Sequence, residues 1–238
     1  MARVLVTRAR DDAERTAQAL AARGHRAIIA PLIEIVWTPD PVPPPDNVQA
    51  ILATSANAVA ALLHQRVRRD LQLYAVGDRT AEMARAGGFT FVRSAGGDSA
   101  SLAALVAAQA DRLGGPLFHG AGAETRGDLA SLLEARGFDV RTSVLYEAVA
   151  VANLPAVLRD GLQNDAIDMA LFFSPRSAAI FAARVAGAGL VDHCRRIRAC
   201  CISRAVAGAL SPIAFANVAI ADSPAHDAVI ALADATAC

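Results

Sequence analysis

The sequence predicts an α/β fold of parallel sheets with helices on both faces, and three observations predict it. Short apolar runs alternate with helical stretches throughout, the pattern of βαβ units. A proline-rich stretch from Thr38 to Asp46 interrupts that alternation early. Two blocks of sequence then recur in interleaved order.

Taken along the chain, Arg3 to Thr7 is a short apolar run that opens the first strand, and Asp12 to Arg23 reads as the helix after it. Acidic residues begin that helix and Gly24 follows its end, the usual start and stop signals. Pro31 to Ile35 reads as a strand. The prolines of Thr38 to Asp46 lock φ and remove donors, so this segment is a stiff, extended linker that marks a domain crossing near residue 37. Strands follow at Ala50 to Ala53, Leu73 to Val76 and Pro116 to His119, with helices at Asn57 to Arg66, Thr80 to Ala86, Ser101 to Ala110 and Thr125 to Arg136. A strand carrying Tyr146 leads to a second crossing near Ala150 to Pro155. The last part holds strands at Met169 to Phe173, Ala199 to Ile202 and Ala216 to Ile220, and helices at Ser177 to Ala186 and Ala225 to Ala233.

The chain also repeats itself. Leu20 to Ala27 (Leu-Ala-Ala-Arg-Gly-His-Arg-Ala) returns at Leu133 to Val140 (Leu-Glu-Ala-Arg-Gly-Phe-Asp-Val), a shift of 113, which also sets Pro31 to Glu34 over Val144 to Glu147. A shift of 126 sets Val76 to Ala81 over Ile202 to Ala207 and Phe89 over Phe215. Thr54 to Asn57 resembles Phe173 to Arg176. The order is A, B, A′, B′, a duplication.

Composition excludes several functions. Hydrophobic residues make up 54% and charged residues 19%, enough for a sizeable core. A net charge of zero argues against a nucleic-acid binder. All 23 basic residues are Arg, so pyridoxal-phosphate chemistry, Schiff-base aldolases and a phosphate loop ending in Gly-Lys are impossible. GC-rich codon usage is the plain account of that bias. No apolar leader and no apolar stretch of membrane-spanning length is visible, so a cytoplasmic protein without a membrane partner is expected. Cys194, Cys200, Cys201 and Cys238 lack zinc or redox spacing and read as reduced core residues; Cys200 and Cys201 point to opposite faces. The five His have no paired ligand spacing; His119 at a strand end is a candidate acid–base group, with a structural role the simpler reading. Gly120-x-Gly122-x-x-Thr125 is a defective dinucleotide fingerprint.

In open parallel sheets ligands bind beyond the carboxyl ends of the strands. The loops there hold Thr7 and Arg8, Ser55 and Asn57, Gly77 and Thr80, Gly122 and Arg126, then Ser174, Arg176 and Ser177, and finally Ser203 and Arg204. Ser, Thr and Asn there supply helix caps and hydroxyls. Arg near a helix N-terminus opposes the macrodipole unless an anion meets it, so these ends read as carboxylate or phosphate receivers. Arg side chains leaning into solvent are the plain alternative.

The opening Val4 to Arg8, the Pro31 to Ile35 strand, Ala53 to Val59 and Ala75 to Ala81 resemble uroporphyrinogen-III synthases. So do the Gly122 to Leu129 loop, Leu145-Tyr146, and Phe172 to Ala178, in order over nearly the whole chain. The resemblance implies two flavodoxin-like domains joined by a two-stranded linker: residues 1 to 36 with 151 to 238, and residues 37 to 150. It implies hydroxymethylbilane as substrate, a linear tetrapyrrole with eight carboxylates, closed with inversion of ring D through a spirocyclic intermediate and with loss of water. Such a lyase of heme biosynthesis needs no cofactor and no metal, and a monomer is expected. Tyr146 becomes the candidate catalytic acid, just before the second crossing where it would face an interdomain cleft, and Thr80 matches a family hydroxyl. The Ser203-Arg204-Ala205-Val206 loop departs from the family's Gly-x-Thr-Thr pattern. A non-catalytic two-domain sensor of small anions or tetrapyrroles, and a nucleotide-dependent enzyme, remain as alternatives.

Overall fold

The computed structural model describes residues 1–124 and 128–234. In chain order the first elements are β1 (Arg3–Val6), α1 (Arg10–Ala21), β2 (Arg26–Ile29), β3 (Ile33–Trp37), β4 (Ala50–Ala53), α2 (Ala56–His64), β5 (Gln72–Ala75), α3 (Asp78–Ala86), β6 (Phe91–Ser94) and α4 (Ser99–Gln109). Then come β7 (Leu117–Gly122), α5 (Leu129–Glu134), β8 (Val140–Ala150), α6 (Ala156–Gln163), β9 (Met169–Phe172) and α7 (Pro175–Gly187). A 3-10 helix (Val191–Arg196), β10 (Arg198–Cys201), α8 (Arg204–Ala209), β11 (Asn217–Ile220) and α9 (His226–Ala231) complete the described chain. The expected helix from Thr125 begins at Leu129 among the described residues, where the Asp128 side chain accepts the Ser131 N–H. Its predicted start at Thr125 and Arg126 lies outside them, as does Cys238.

Besides the 3-10 helix, two strands and two α-helices go beyond those picked out above, and each has a weak local signature. Strand β2 begins on exposed Arg26, and β6 alternates exposed and half-buried residues at a sheet edge. Helix α8 is six residues long and contains a Gly. Helix α6 is initiated by Pro155, which reads locally as linker, yet Leu158 and Leu162 put one buried stripe on it.

The chain forms two compact units, Met1–Glu34 with Val149–Cys238, and Ile35–Ala148. The first contains a five-stranded parallel sheet in the order β2-β1-β9-β10-β11, the flavodoxin-like arrangement. The second is built on strands β8-β7-β4-β5-β6, also parallel, and β3 lies beside β8. The chain passes between units twice, in β3 and in β8. The Thr38 N–H donates to the Leu145 carbonyl and the Val151 N–H to the Leu32 carbonyl, which sets this pair antiparallel.

The two sheets have the same register. Val4 pairs with Ala27 and Leu117 with Val140, a shift of 113 at both positions. Val4 also pairs with Met169, and Leu117 with Ala50. Met169 pairs with Arg198, and Ala50 with Gln72. Arg198 to Asn217 and Gln72 to Phe91 then repeat at a shift of 126. Even the two bonds of the β3–β8 pair exchange under the shift of 113. The first unit is therefore A with B′ and the second B with A′.

Each sheet buries both faces. In the first unit Leu5, Phe172 and Cys201 join one cluster, and Val6, Leu171 and Cys200 the other. Burial pushes the Cys200 and Cys201 thiols up to about 11 and about 12, so both stay protonated. In the second unit Ile51, Leu73 and Phe118 face one helix layer, and Leu52, Tyr74 and Leu117 the other. Each fully buried Leu, Ile or Phe contributes about 1.5–3 kcal/mol. No helix among the described residues is long and apolar enough to cross a membrane.

Candidate functional site

In both units a Ser stands at the N-terminus of the helix that follows a central strand. Ser55 caps α2 in extended backbone, and its Oγ accepts the Ala58 N–H at 3.0 Å. Ser174 caps α7, accepts the Ser177 N–H at 3.1 Å and donates to the Ser177 Oγ at 2.9 Å. These serines occupy equivalent positions at the topological switch points, β4 beside β7 and β9 beside β1, where crevices open in sheets of this type. Gly77 and Ser203 are likewise equivalent, as N-caps of α3 and α8. Ser203 accepts the Val206 N–H at 3.4 Å, while Gly77 has no side chain to cap with and open space where a Cβ would stand.

The second unit adds a tyrosine. Tyr146 lies half-buried on β8, with its hydroxyl 2.8 Å from the Ser55 Oγ. Gly122 makes this possible. A Cβ on it would come within 2.8–3.0 Å of the Tyr146 ring and hydroxyl, so only glycine lets the ring lie against this backbone. The Ala123 N–H donates to the Tyr146 carbonyl at 2.8 Å, next to a register shift between Ala121 and Gly122. Ser55, Tyr146 and Gly122 therefore form one constellation. Asn57 is half-buried in the first turn of α2. Thr80, in the first turn of α3, is 5% exposed, so its hydroxyl lies in the interior. Arg126 lies outside the described residues.

In the first unit the strand ends gather around Arg8. Its guanidinium pairs with Asp12 at 2.7 Å and sits 4.5 Å from the centroid of the Phe173 ring. His226 stacks on that ring at 5.4 Å, and its Nε2 lies 3.1 Å from the Thr16 Oγ1. Thr7 is 1% exposed, and its Oγ1 has no hydrogen-bond partner among the described residues. Arg176 and Arg204 are exposed at the starts of α7 and α8, while Ser177 is buried. The Arg8 partners Phe173 and Asp12, and His226 stacked on Phe173, are not among the residues the sequence singles out. Phe173 precedes the Ser174 motif and was open to notice; His226 carries no sequence signal, because only the fold brings α9 to α1.

His119 belongs to the interior. It is 5% exposed, neither ring nitrogen has a partner among the described residues, and burial alone pushes its pKa down to about 4. It lies in a row across the sheet, Arg93–Tyr74–Leu52–His119–Thr142. The equivalent row of the first unit is Ala219–Cys200–Leu171–Val6–Ile29.

Fold and site together define a class: a duplicated flavodoxin-like α/β protein with hydroxyls at the strand ends of both lobes and guanidinia at those of the first. The family model described as uroporphyrinogen-III synthase HemD matches residues 14–231. The chain belongs to the uroporphyrinogen-III synthase family. A crystal structure of uroporphyrinogen-III synthetase from Helicobacter pylori shares its fold at 18% identity, covering 98% of this chain and 98% of that chain with a TM-score of 0.61. Two Thermus thermophilus uroporphyrinogen III synthase structures are 17% and 19% identical and cover 97% of this chain (97% and 96% of theirs), each with a TM-score of 0.39. No curated protein matches the chain. The function the family model supports is that of the family, uroporphyrinogen-III synthase, and nothing in the comparisons favours a non-catalytic sensor of the same fold.

Proposed function

We propose that this chain is a cytoplasmic, monomeric lyase that closes hydroxymethylbilane to uroporphyrinogen III, with Tyr146 as its general acid and no metal or cofactor. Its two working lobes are residues 1 to 36 with 151 to 238, and residues 37 to 150. The observation that carries the assignment is the Tyr146 hydroxyl fixed 2.8 Å from Ser55 at the strand ends of one lobe.

The physical task favours positioning over strong acid–base chemistry. The linear tetrapyrrole closes unaided, but without turning ring D. The enzyme must hold the carboxylates while that ring pivots and while the hydroxyl leaves. Arg8, Arg176, Arg204 and Arg126 supply charge-assisted bonds to carboxylates. Asn57, Ser174 and Ser203, with the backbone at Gly77 and Gly122, complete the substrate-binding set, and the buried hydroxyls of Thr7, Thr80 and Ser177 support those strand ends from the interior. Arg8 suits an anchor because Asp12 and Phe173 already limit its freedom. Tyr146 donates its proton to the hydroxymethyl oxygen as the carbon–oxygen bond breaks and water leaves. The pyrrole nitrogen's lone pair supplies the electrons, and a ring D carbon attacks the resulting methylene to give the spirocyclic intermediate.

The decisive experiment is incubation with freshly made hydroxymethylbilane and separation of the isomers. An excess of isomer III is expected. The isomer I of plain buffer would end the proposal.

A further inference from the structure

We infer that Ser55 donates its single hydroxyl proton to the Tyr146 oxygen, which turns the tyrosine's own proton toward the departing hydroxyl and holds the phenolate that remains. This positioning role deepens the general-acid reading above and rests on it. The Ser55 oxygen already accepts the Ala58 N–H at 3.0 Å, and its other partner is the Tyr146 hydroxyl at 2.8 Å. A serine has one proton to give and a tyrosine one. If Tyr146 donated to Ser55, the proton needed for catalysis would be held inside the pair. With Ser55 as donor, that proton is left for the substrate. Accepting an N–H from the first turn of α2 also polarises the Ser55 hydroxyl and makes it a better donor.

Gly122 supports the geometry. With the ring packed against its backbone, the phenol oxygen is held opposite Ser55. The first lobe shows the same serine without the relay. Ser174 directs its proton to the Ser177 Oγ at 2.9 Å, and Ile33 occupies the position equivalent to Tyr146. Charge and protons balance. The Tyr146 proton joins the leaving hydroxyl to make water, and the negative charge left on the phenol oxygen meets the Ser55 O–H. The proton is restored when the ring D carbon sheds its own after closure.

The test separates hydrogen-bond direction from activity. The chain has two tyrosines, so the Raman difference spectrum of wild type minus Tyr146→Phe isolates the Fermi doublet of Tyr146. Its intensity ratio reports whether the hydroxyl donates or accepts. An accepting ratio is expected, altered in Ser55→Ala and regained in Ser55→Thr. Ser55→Ala is expected to lower kcat about tenfold or more at unchanged KM, as loss of a bond to a charged oxygen does. In a Tyr146→Phe background the same change is expected to have no further effect. Ser55→Gly, which also lacks the hydroxyl but is tolerated at a helix start, replaces alanine if that variant does not fold. A donating ratio, or equal kcat losses in both backgrounds, overturns the inference. Wild-type turnover by Tyr146→Phe would instead remove the general-acid reading, whatever the Raman ratio.

Discussion

The two lobes share strand order, register and the serine cap at the switch point, but their equivalent positions carry different chemistry. Tyr146 in one lobe answers to Ile33 in the other, Gly122 to Ala9, and His119 to Val6. The row Arg93–Tyr74–Leu52–His119–Thr142 is polar where Ala219–Cys200–Leu171–Val6–Ile29 is apolar. The first lobe instead builds its strand ends around Arg8 and Phe173. The backbone frame is therefore indifferent to these choices. Both lobes keep the hydrogen-bond ladders, and under the proposed function their side chains would divide the work into acid chemistry in one lobe and charge anchoring in the other.

That division is breakable. The largest effect is expected from Tyr146→Phe, which should slow ring closure by about 10²–10⁴-fold. Ile33→Val in the other lobe should leave the rate unchanged. Equal losses in a single-turnover assay would abolish the asymmetry.

Acid is expected to separate the lobes next. His119 has a folded pKa near 4, against 6.5 when free. Between those values the unfolded chain binds more protons than the folded one. Stability is therefore full above about pH 6.5 and falls as the pH drops toward 4, by about 3 kcal/mol in all. Chemical denaturation followed across that range is expected to lose most of this slope in His119→Val, the residue that the first lobe already uses. An unchanged slope would move the cause elsewhere.

Gly122→Ala sharpens the comparison at smaller scale. Its new Cβ meets the tyrosine ring and is expected to cost about 1–3 kcal/mol in melting experiments, together with turnover. Ala9→Gly, at the equivalent position, should leave turnover as it is. The smallest effect is expected from Phe173→Leu. Removing the ring under Arg8 should raise KM about two- to fivefold with kcat nearly intact. A loss of kcat instead would assign Phe173 to the reacting centre.

Much of this frame was legible in the sequence. The alternation of apolar runs and helices and the shifts of 113 and 126 were enough to infer parallel sheets and the A, B, A′, B′ order. The strands that escaped, β2 and β6, lie at sheet edges, where one-sided burial weakens the apolar signal. For the site, Ser55, Tyr146 and Gly122 were each visible as single residues. Their contact was not, because it depends on a bulge at Gly122 and on side-chain direction. Thr7 and Thr80 look like loop hydroxyls in the sequence, yet both are buried; being next to a strand end does not fix which way a side chain turns.

The interleaved order has a consequence for birth on the ribosome. Strand β1 is made first but lies between β2 and β9, and β9 follows more than a hundred residues later. The lobe of Ile35–Ala148 is contiguous and can mature as soon as it emerges, while the N-terminal segment waits for the C-terminal third. Stalled nascent chains long enough for Ala148 to have cleared the exit tunnel, but lacking β9, should protect the later-numbered lobe from proteases and leave β1 open to them.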